Sequence, residues 1–184
     1  LYIIAGCNGA GKTTASFNIL PSILDCKEFV NADEIARGLS PFQPEKVAFE
    51  AGRIMLHRID ELLETDKDFA FETTLATRSF RNTVLKAKER GYIVTLLFFC
   101  LENQELAIER VKTRVSEGGH NIPEETIRRR YLAGLKNLFE IYIPICDRTF
   151  VFNNSRNNPQ KIFKSEDGKQ VIYNQKEFDE IRKQ

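Results

Sequence analysis

Gly6-Cys7-Asn8-Gly9-Ala10-Gly11-Lys12-Thr13 has the spacing G-x-x-x-x-G-K-[ST] of a phosphate-binding loop. The glycines let successive backbone N–H groups turn into one concavity that a Cβ would obstruct. A helix starting near Lys12 adds its unpaired N–H groups and its positive end at the same point. The Lys12 ammonium would reach the β- and γ-phosphates, and the Thr13 hydroxyl would ligate Mg²⁺. Asn8, Gly9, Ala10, Gly11, Lys12, Thr13 and Thr14 are therefore the expected contacts of a nucleoside triphosphate. Cys7 sits among them. The loop N–H groups and Lys12 would favour a thiolate there, whereas a small loop-filling side chain needs no such chemistry.

Phosphoryl transfer also needs an acid that holds Mg²⁺ through water and a group that takes the proton of the attacking hydroxyl. Two carboxylates stand at the ends of apolar runs: Asp33 after Phe29-Val30-Asn31-Ala32, and Glu72 after Phe69-Ala70-Phe71. In a parallel sheet both would emerge on the phosphate side. Asp33 is the candidate base, with a cap on the short helix Glu34–Leu39 as its structural alternative. Glu72, with Thr73 and Thr74, could hold metal-bound water or substrate hydroxyls. Glu50 shares a helix face with Arg53 and His57. An i, i+3 Glu–Arg pair, worth roughly a few tenths of a kcal/mol, accounts for it equally well.

A basic stretch follows. Arg110 and Arg114 lie one turn apart beside Ala107, Val111 and Val115. Like charges at that spacing cost a helix roughly a few tenths of a kcal/mol, which a nearby anion would offset. Further on, Ile127, Tyr131, Gly134, Leu135 and Leu138 mark a buried stripe flanked by Arg128 and Arg130, with Arg129 outward. With Gly118-Gly119 between them, the two stretches have the pattern of a mobile lid that lays arginine forks over the transferring phosphoryl group. A solvated basic face is the alternative.

The elements that must position these residues alternate between strand and helix. Leu1–Ala5 reads as a buried strand, followed by the loop and a helix of about two turns that Pro21 ends. Glu28–Asn31 is a second strand, and Pro44 opens a long helix reaching Glu64. Asp68–Glu72 is a third strand, and Ser79 caps a helix that Gly91 ends. Tyr92–Cys100 is nearly all apolar or β-branched, the mark of a central parallel strand. Helices over Gln104–Glu117 and Pro123–Phe139 precede a fifth strand, Thr149–Asn153. Asp167-Gly168, between Lys161–Lys164 and Gln170–Tyr173, signals a hairpin.

These elements predict an α/β, P-loop NTPase three-layer α/β/α fold. Its central sheet is mainly parallel, of about five strands, with a helical Arg-rich lid, a small C-terminal β-hairpin and its ligand at the carboxyl ends of the strands. At 184 residues the chain reads as one domain, 1–184, with 156–184 as a hairpin-helix appendage. A net charge of +1 gives no whole-molecule case for nucleic acid or an acidic membrane. The longest apolar run, Ile93–Leu101, is far short of the roughly 20 residues of a membrane span. Cys7, Cys26, Cys100 and Cys146 are widely spaced, which argues against a zinc site and for reduced thiols in the cytoplasm.

Four segments in this order resemble the zeta-toxin-like P-loop kinases, in the bacterial branch described as predicted ABC-type ATPases. They are Gly6–Thr14, Asn31-Ala32-Asp33-Glu34-Ile35-Ala36, Phe71-Glu72-Thr73-Thr74-Leu75 and Gly118-Gly119-His120-Asn121-Ile122-Pro123 with its arginines. The resemblance runs to Phe152-Asn153-Asn154-Ser155. It implies ATP and Mg²⁺ as cofactors and transfer to a sugar hydroxyl of UDP-N-acetylglucosamine, with an antitoxin protein as partner. It also implies Asp33 as base, and Glu50, Glu72 and Thr74 as substrate contacts. Lys12 and Thr13 would serve phosphates and metal, and Arg114 and Arg128 would be the lid arginines. The ABC label finds no support in an LSGGQ-like signature, a strand-end Asp-Glu pair or a coupling domain.

The expected function is thus ATP-dependent transfer of a phosphoryl group to a small-molecule hydroxyl. Two alternatives remain, a polynucleotide 5′-hydroxyl kinase and a nucleotide-gated switch. The neutral net charge speaks against the first. A base aimed at a second substrate speaks against the second.

Overall fold

The computed structural model describes residues 1–119, 121–156 and 158–184. His120, in the fourth segment above, lies outside the described residues.

Five parallel strands come first along the chain: β1 (Tyr2–Gly6), β2 (Glu28–Val30), β3 (Phe69–Thr73), β4 (Thr95–Cys100) and β5 (Arg148–Asn153). Their order in the sheet is β2-β3-β1-β4-β5. β1 therefore sits between β3 and β4, pairing Ala5 with Thr73 and Gly6 with Phe99. The strand order reverses there, and the crevice at such a reversal is where open α/β sheets bind ligands. Ile3, Ile4, Phe69 and Phe71 are fully buried, as strands covered on both faces require.

The helices are α1 (Lys12–Ser22), α2 (Ala32–Leu39), α3 (Ala48–Leu63), α4 (Phe80–Glu89), α5 (Gln104–Ser116) and α6 (Glu124–Asn137), then α7 (Ile143–Ile145) and α8 (Gln175–Lys183). α1 runs through Pro21, which occupies its last turn, and ends one residue later. Pro44 opens a 3₁₀ turn, Pro44–Val47, that leads into α3. Ser79 stands at the start of α4 without capping it; its hydroxyl pairs with Thr77 Oγ1 at 2.8 Å. α6 passes into a π-helical turn, Leu138–Tyr142.

The C-terminal hairpin does more than decorate the fold. β6 (Gln160–Glu166) pairs antiparallel with β5, and β7 (Lys169–Ile172) with β6, so among the described residues the sheet has seven strands rather than five. Asp167 and Gly168 both have positive φ, 51° and 73°, as a tight hairpin turn demands. α8 closes over this extension, with Phe178 stacked on Phe163 at 5.0 Å and edge-on to Phe139 at 5.6 Å. Among the described residues no helix is long and apolar enough to cross a membrane.

Candidate active site

The phosphate loop leaves β1 at Gly6, where a Cβ would lie 2.0 Å from the Phe99 carbonyl oxygen on the neighbouring strand. Only glycine fits. Lys12 opens α1 and is 7% exposed; its Nζ donates to the Cys7 carbonyl at 3.1 Å and stands 3.5 Å from a Glu72 carboxylate oxygen. The Thr13 hydroxyl donates to Glu72 Oε2 at 2.9 Å, and Asn31 Nδ2 donates to the same oxygen at 2.9 Å. Strand β3 thus delivers an acid directly beside the loop threonine.

A hydroxyl and a carboxylate side by side at a phosphate cradle suit Mg²⁺, which prefers hard oxygen ligands and takes few from the protein when phosphates supply others. Thr13 and Glu72 fit the metal expected from the loop, Thr13 as direct ligand and Glu72 through water.

Asp33 lies in the first turn of α2, exposed, and its backbone N–H donates to Asn31 Oδ1 at 2.8 Å. Asn31 is therefore the helix cap, which leaves the Asp33 carboxylate available for chemistry. Arg130, on α6, faces it. Burial lowers the pKa of this guanidinium, and the Asp33 charge pulls the other way.

Two cavities meet at these residues. The smaller, of about 190 Å³, is lined by Gly9, Gly11, Thr13, Thr14, Arg110 and Arg114. The larger, of about 420 Å³, has a hydroxyl-bearing side of Thr73, Thr74, Thr77 and Ser79 and an apolar side with Phe49 and Leu56. Asn8, Lys12, Asp33 and Glu72 line both. Asn8 is 6% exposed, and its side-chain oxygen is buried without a hydrogen-bond partner. A polar atom left in that state is poised for a bound group.

The structure sets two of the sequence candidates apart from these cavities. Glu50 is exposed and outside both cavities, because the side of α3 that borders the larger one carries Phe49, Gly52 and Arg53. Arg128 is also outside them. It donates to Glu105 on α5 at 2.7 Å, while Arg130 lines the larger cavity. For Cys7 the loop-filling alternative fits, since burial outweighs Lys12 and pushes its pKa up to about 11. Thr74 lines the larger cavity and Arg114 the smaller. His57, also outside both cavities, stands 3.4 Å from Glu61.

Arg53, Phe49 and the glutamate-clamping Asn31 were not picked out as site residues. Asn31 had a signal, its place two residues before Asp33 at a strand end. Phe49 and Arg53 had none beyond helical phase.

Comparison with known proteins agrees with this geometry. Residues 1–177 match the Zeta toxin family. An uncharacterized protein of Haemophilus influenzae is 33% identical over 128 residues, covering 68% of this chain and 88% of its own. The AvrRxo1-ORF1:AvrRxo1-ORF2 crystal structure with sulphate ions superposes with a TM-score of 0.80 at 17% identity, over 98% of this chain. This chain spans 62% of the length of that one, which has also been crystallised with ATP. The PezAT toxin–antitoxin structure from Streptococcus pneumoniae gives a TM-score of 0.66 at 16% identity, covering 99% of this chain and 83% of that one. The chain has a P-loop α/β fold and belongs to the Zeta toxin family.

Proposed function

We propose that the domain transfers the γ-phosphoryl group of ATP to a hydroxyl of a small molecule seated against Thr74 and Asp33. A nucleotide sugar such as UDP-N-acetylglucosamine is the first candidate acceptor. One observation carries this reading: the phosphate cavity and the larger cavity share Asn8, Lys12, Asp33 and Glu72. A donor phosphate and an acceptor hydroxyl would meet at those four side chains. A switch protein has no use for a second cavity opening onto a carboxylate.

In this mechanism Lys12 leaves its contacts with Cys7 and Glu72 to neutralise the β- and γ-phosphates. Mg²⁺, when bound through Thr13 and by water to Glu72, supplies further charge neutralisation. Asp33 accepts the proton of the acceptor hydroxyl as the bond to phosphorus forms. Arg114 steadies charge on the moving group, and Arg130 holds the acceptor side. The unpartnered Asn8 oxygen accepts a hydrogen bond from the acceptor.

An antitoxin partner is part of the same proposal, supported by family membership and by the paired proteins in the PezAT structure. So is a reducing, cytoplasmic setting, which suits four free cysteines. The test of the base is Asp33→Asn, which keeps size and removes proton affinity. Product formation is expected to fall about 100-fold or more while MgATP binding stays near wild type. Undiminished turnover in Asp33→Asn would overturn the assignment.

A further inference from the structure

The turn that follows β5 reaches into the phosphate loop. Asn154 Nδ2 donates to the Ala10 carbonyl at 2.8 Å. That carbonyl and the Gly11 N–H belong to one planar trans peptide, so they point in opposite directions. Holding the carbonyl outward on Asn154 turns the Gly11 N–H inward, toward the concavity that cradles phosphate. Gly11 leaves the space for this contact: its φ is +77°, and a Cβ there would lie 2.7 Å from Asn154 Nδ2.

Asn154 is itself gripped from two sides. On one, Arg110 of α5 donates to the Asn154 and Ser155 carbonyls at 2.8 and 3.0 Å. On the other, Asn153 Nδ2 donates to Glu177 Oε2 of α8 at 2.9 Å. Asn153 Oδ1 accepts from the Ser155 N–H and hydroxyl at 2.9 and 2.6 Å. The Asn154 N–H is bound to the Cys100 carbonyl at 2.9 Å. α8 is in turn fixed by Phe178 in the aromatic cluster over β6. No residue of α8 lines the phosphate or the acceptor cavity.

We infer that Asn154 is a positioning residue for the phosphate loop, and that the C-terminal helix sets it through Glu177 and Asn153. The tail is then part of the nucleotide site without touching the nucleotide. This inference concerns ATP binding alone, so a chain that binds MgATP and phosphorylates nothing would sink the proposed function and leave it standing.

The experiment is calorimetric titration of the full chain with MgATP and MgADP, beside the melting temperature of each nucleotide-free variant. Asn154→Ala is expected to raise both dissociation constants about tenfold, as loss of one aimed N–H to a charged phosphate would. Glu177→Ala is expected to raise them severalfold. Glu177→Gln, which keeps an acceptor for Asn153, restores wild-type affinity. Asp179→Ala, on the same helix and paired among the described residues with Gln175, leaves affinity unchanged. Wild-type affinity in Asn154→Ala would overturn the inference. So would equal weakness in Glu177→Gln and Glu177→Ala, or affinity losses that merely track melting temperature across all four variants.

Discussion

At the scale of single residues, the site is a set of charges held close by the strand ends. Glu72 receives hydrogen bonds from Thr13 and Asn31 and faces Lys12, so one carboxylate touches both phosphate-loop side chains. That Glu72 emerges on the phosphate side was legible from its place at the end of an apolar strand; its pairing with Thr13 and Lys12 depends on β3 lying beside β1, which the sequence does not state. The arginines were less legible. Arg128 and Arg130 are two residues apart on one helix and so lie on nearly opposite sides, and the packing of α6 on α5 decides which is which. Glu105 captures Arg128, leaving Arg130 for Asp33. Arg130→Ala is therefore expected to lower phosphoryl transfer about 10- to 100-fold, while Arg128→Ala stays within about twofold of wild type. Steady-state rates on the two variants check this, and the reverse order would return Arg128 to the site.

At the scale of elements, α6 and the turn after it hold the loop that lines the larger cavity, starting from a point of close approach. Gly134 of α6 lies against the Thr74 carbonyl, where a Cβ would come within 2.6 Å. Asn137 then donates to the Leu75 carbonyl at 2.7 Å, and Tyr142 to the Thr77 carbonyl at 3.3 Å. The loop bearing Thr74 and Thr77 is thus moulded by α6 and its π-helical turn. Gly134→Ala puts a methyl against backbone that cannot swing aside. It is expected to destabilise the fold by about 1–3 kcal/mol, measured by denaturant titration, and to raise the acceptor KM more than that for ATP. Helical periodicity placed Gly134 on the buried stripe, but the carbonyl it meets is some sixty residues away and no local pattern could name it.

At the scale of the whole molecule, the strands and their helices bury Cys7, which the sequence left open between chemistry and packing, and half-bury Cys146. Burial pushes Cys7 up to about 11 and Cys146 up to about 12, both from an ordinary value of 9.0. The sign follows directly. Below pH 9 both folded and unfolded thiols are protonated and the full stability is present; above it the unfolded chain releases protons that the folded chain retains. Stability is expected to fall as pH rises from about 9 through 11, read from denaturant midpoints across that range. A flat profile would mean these thiols are better solvated than their packing indicates. The fold class, the parallel core and the phosphate loop could be read from strand and helix periodicity, since each is a local property. The hairpin's junction with β5, and the tail's reach to the phosphate loop through Asn153 and Asn154, depend on long-range pairing. Sequence spacing does not encode such contacts.

The central claim is that phosphate and acceptor meet at Asp33, Glu72, Lys12 and Asn8. It is tested most directly by mass spectrometry of purified chain incubated with Mg²⁺-ATP and a panel of nucleotide sugars led by UDP-N-acetylglucosamine, with Lys12→Ala in parallel. The account predicts an acceptor heavier by one phosphoryl group, formed by the wild type and absent with Lys12→Ala. ADP accumulating with every sugar in the panel unmodified would contradict the assignment of the larger cavity to a nucleotide-sugar acceptor.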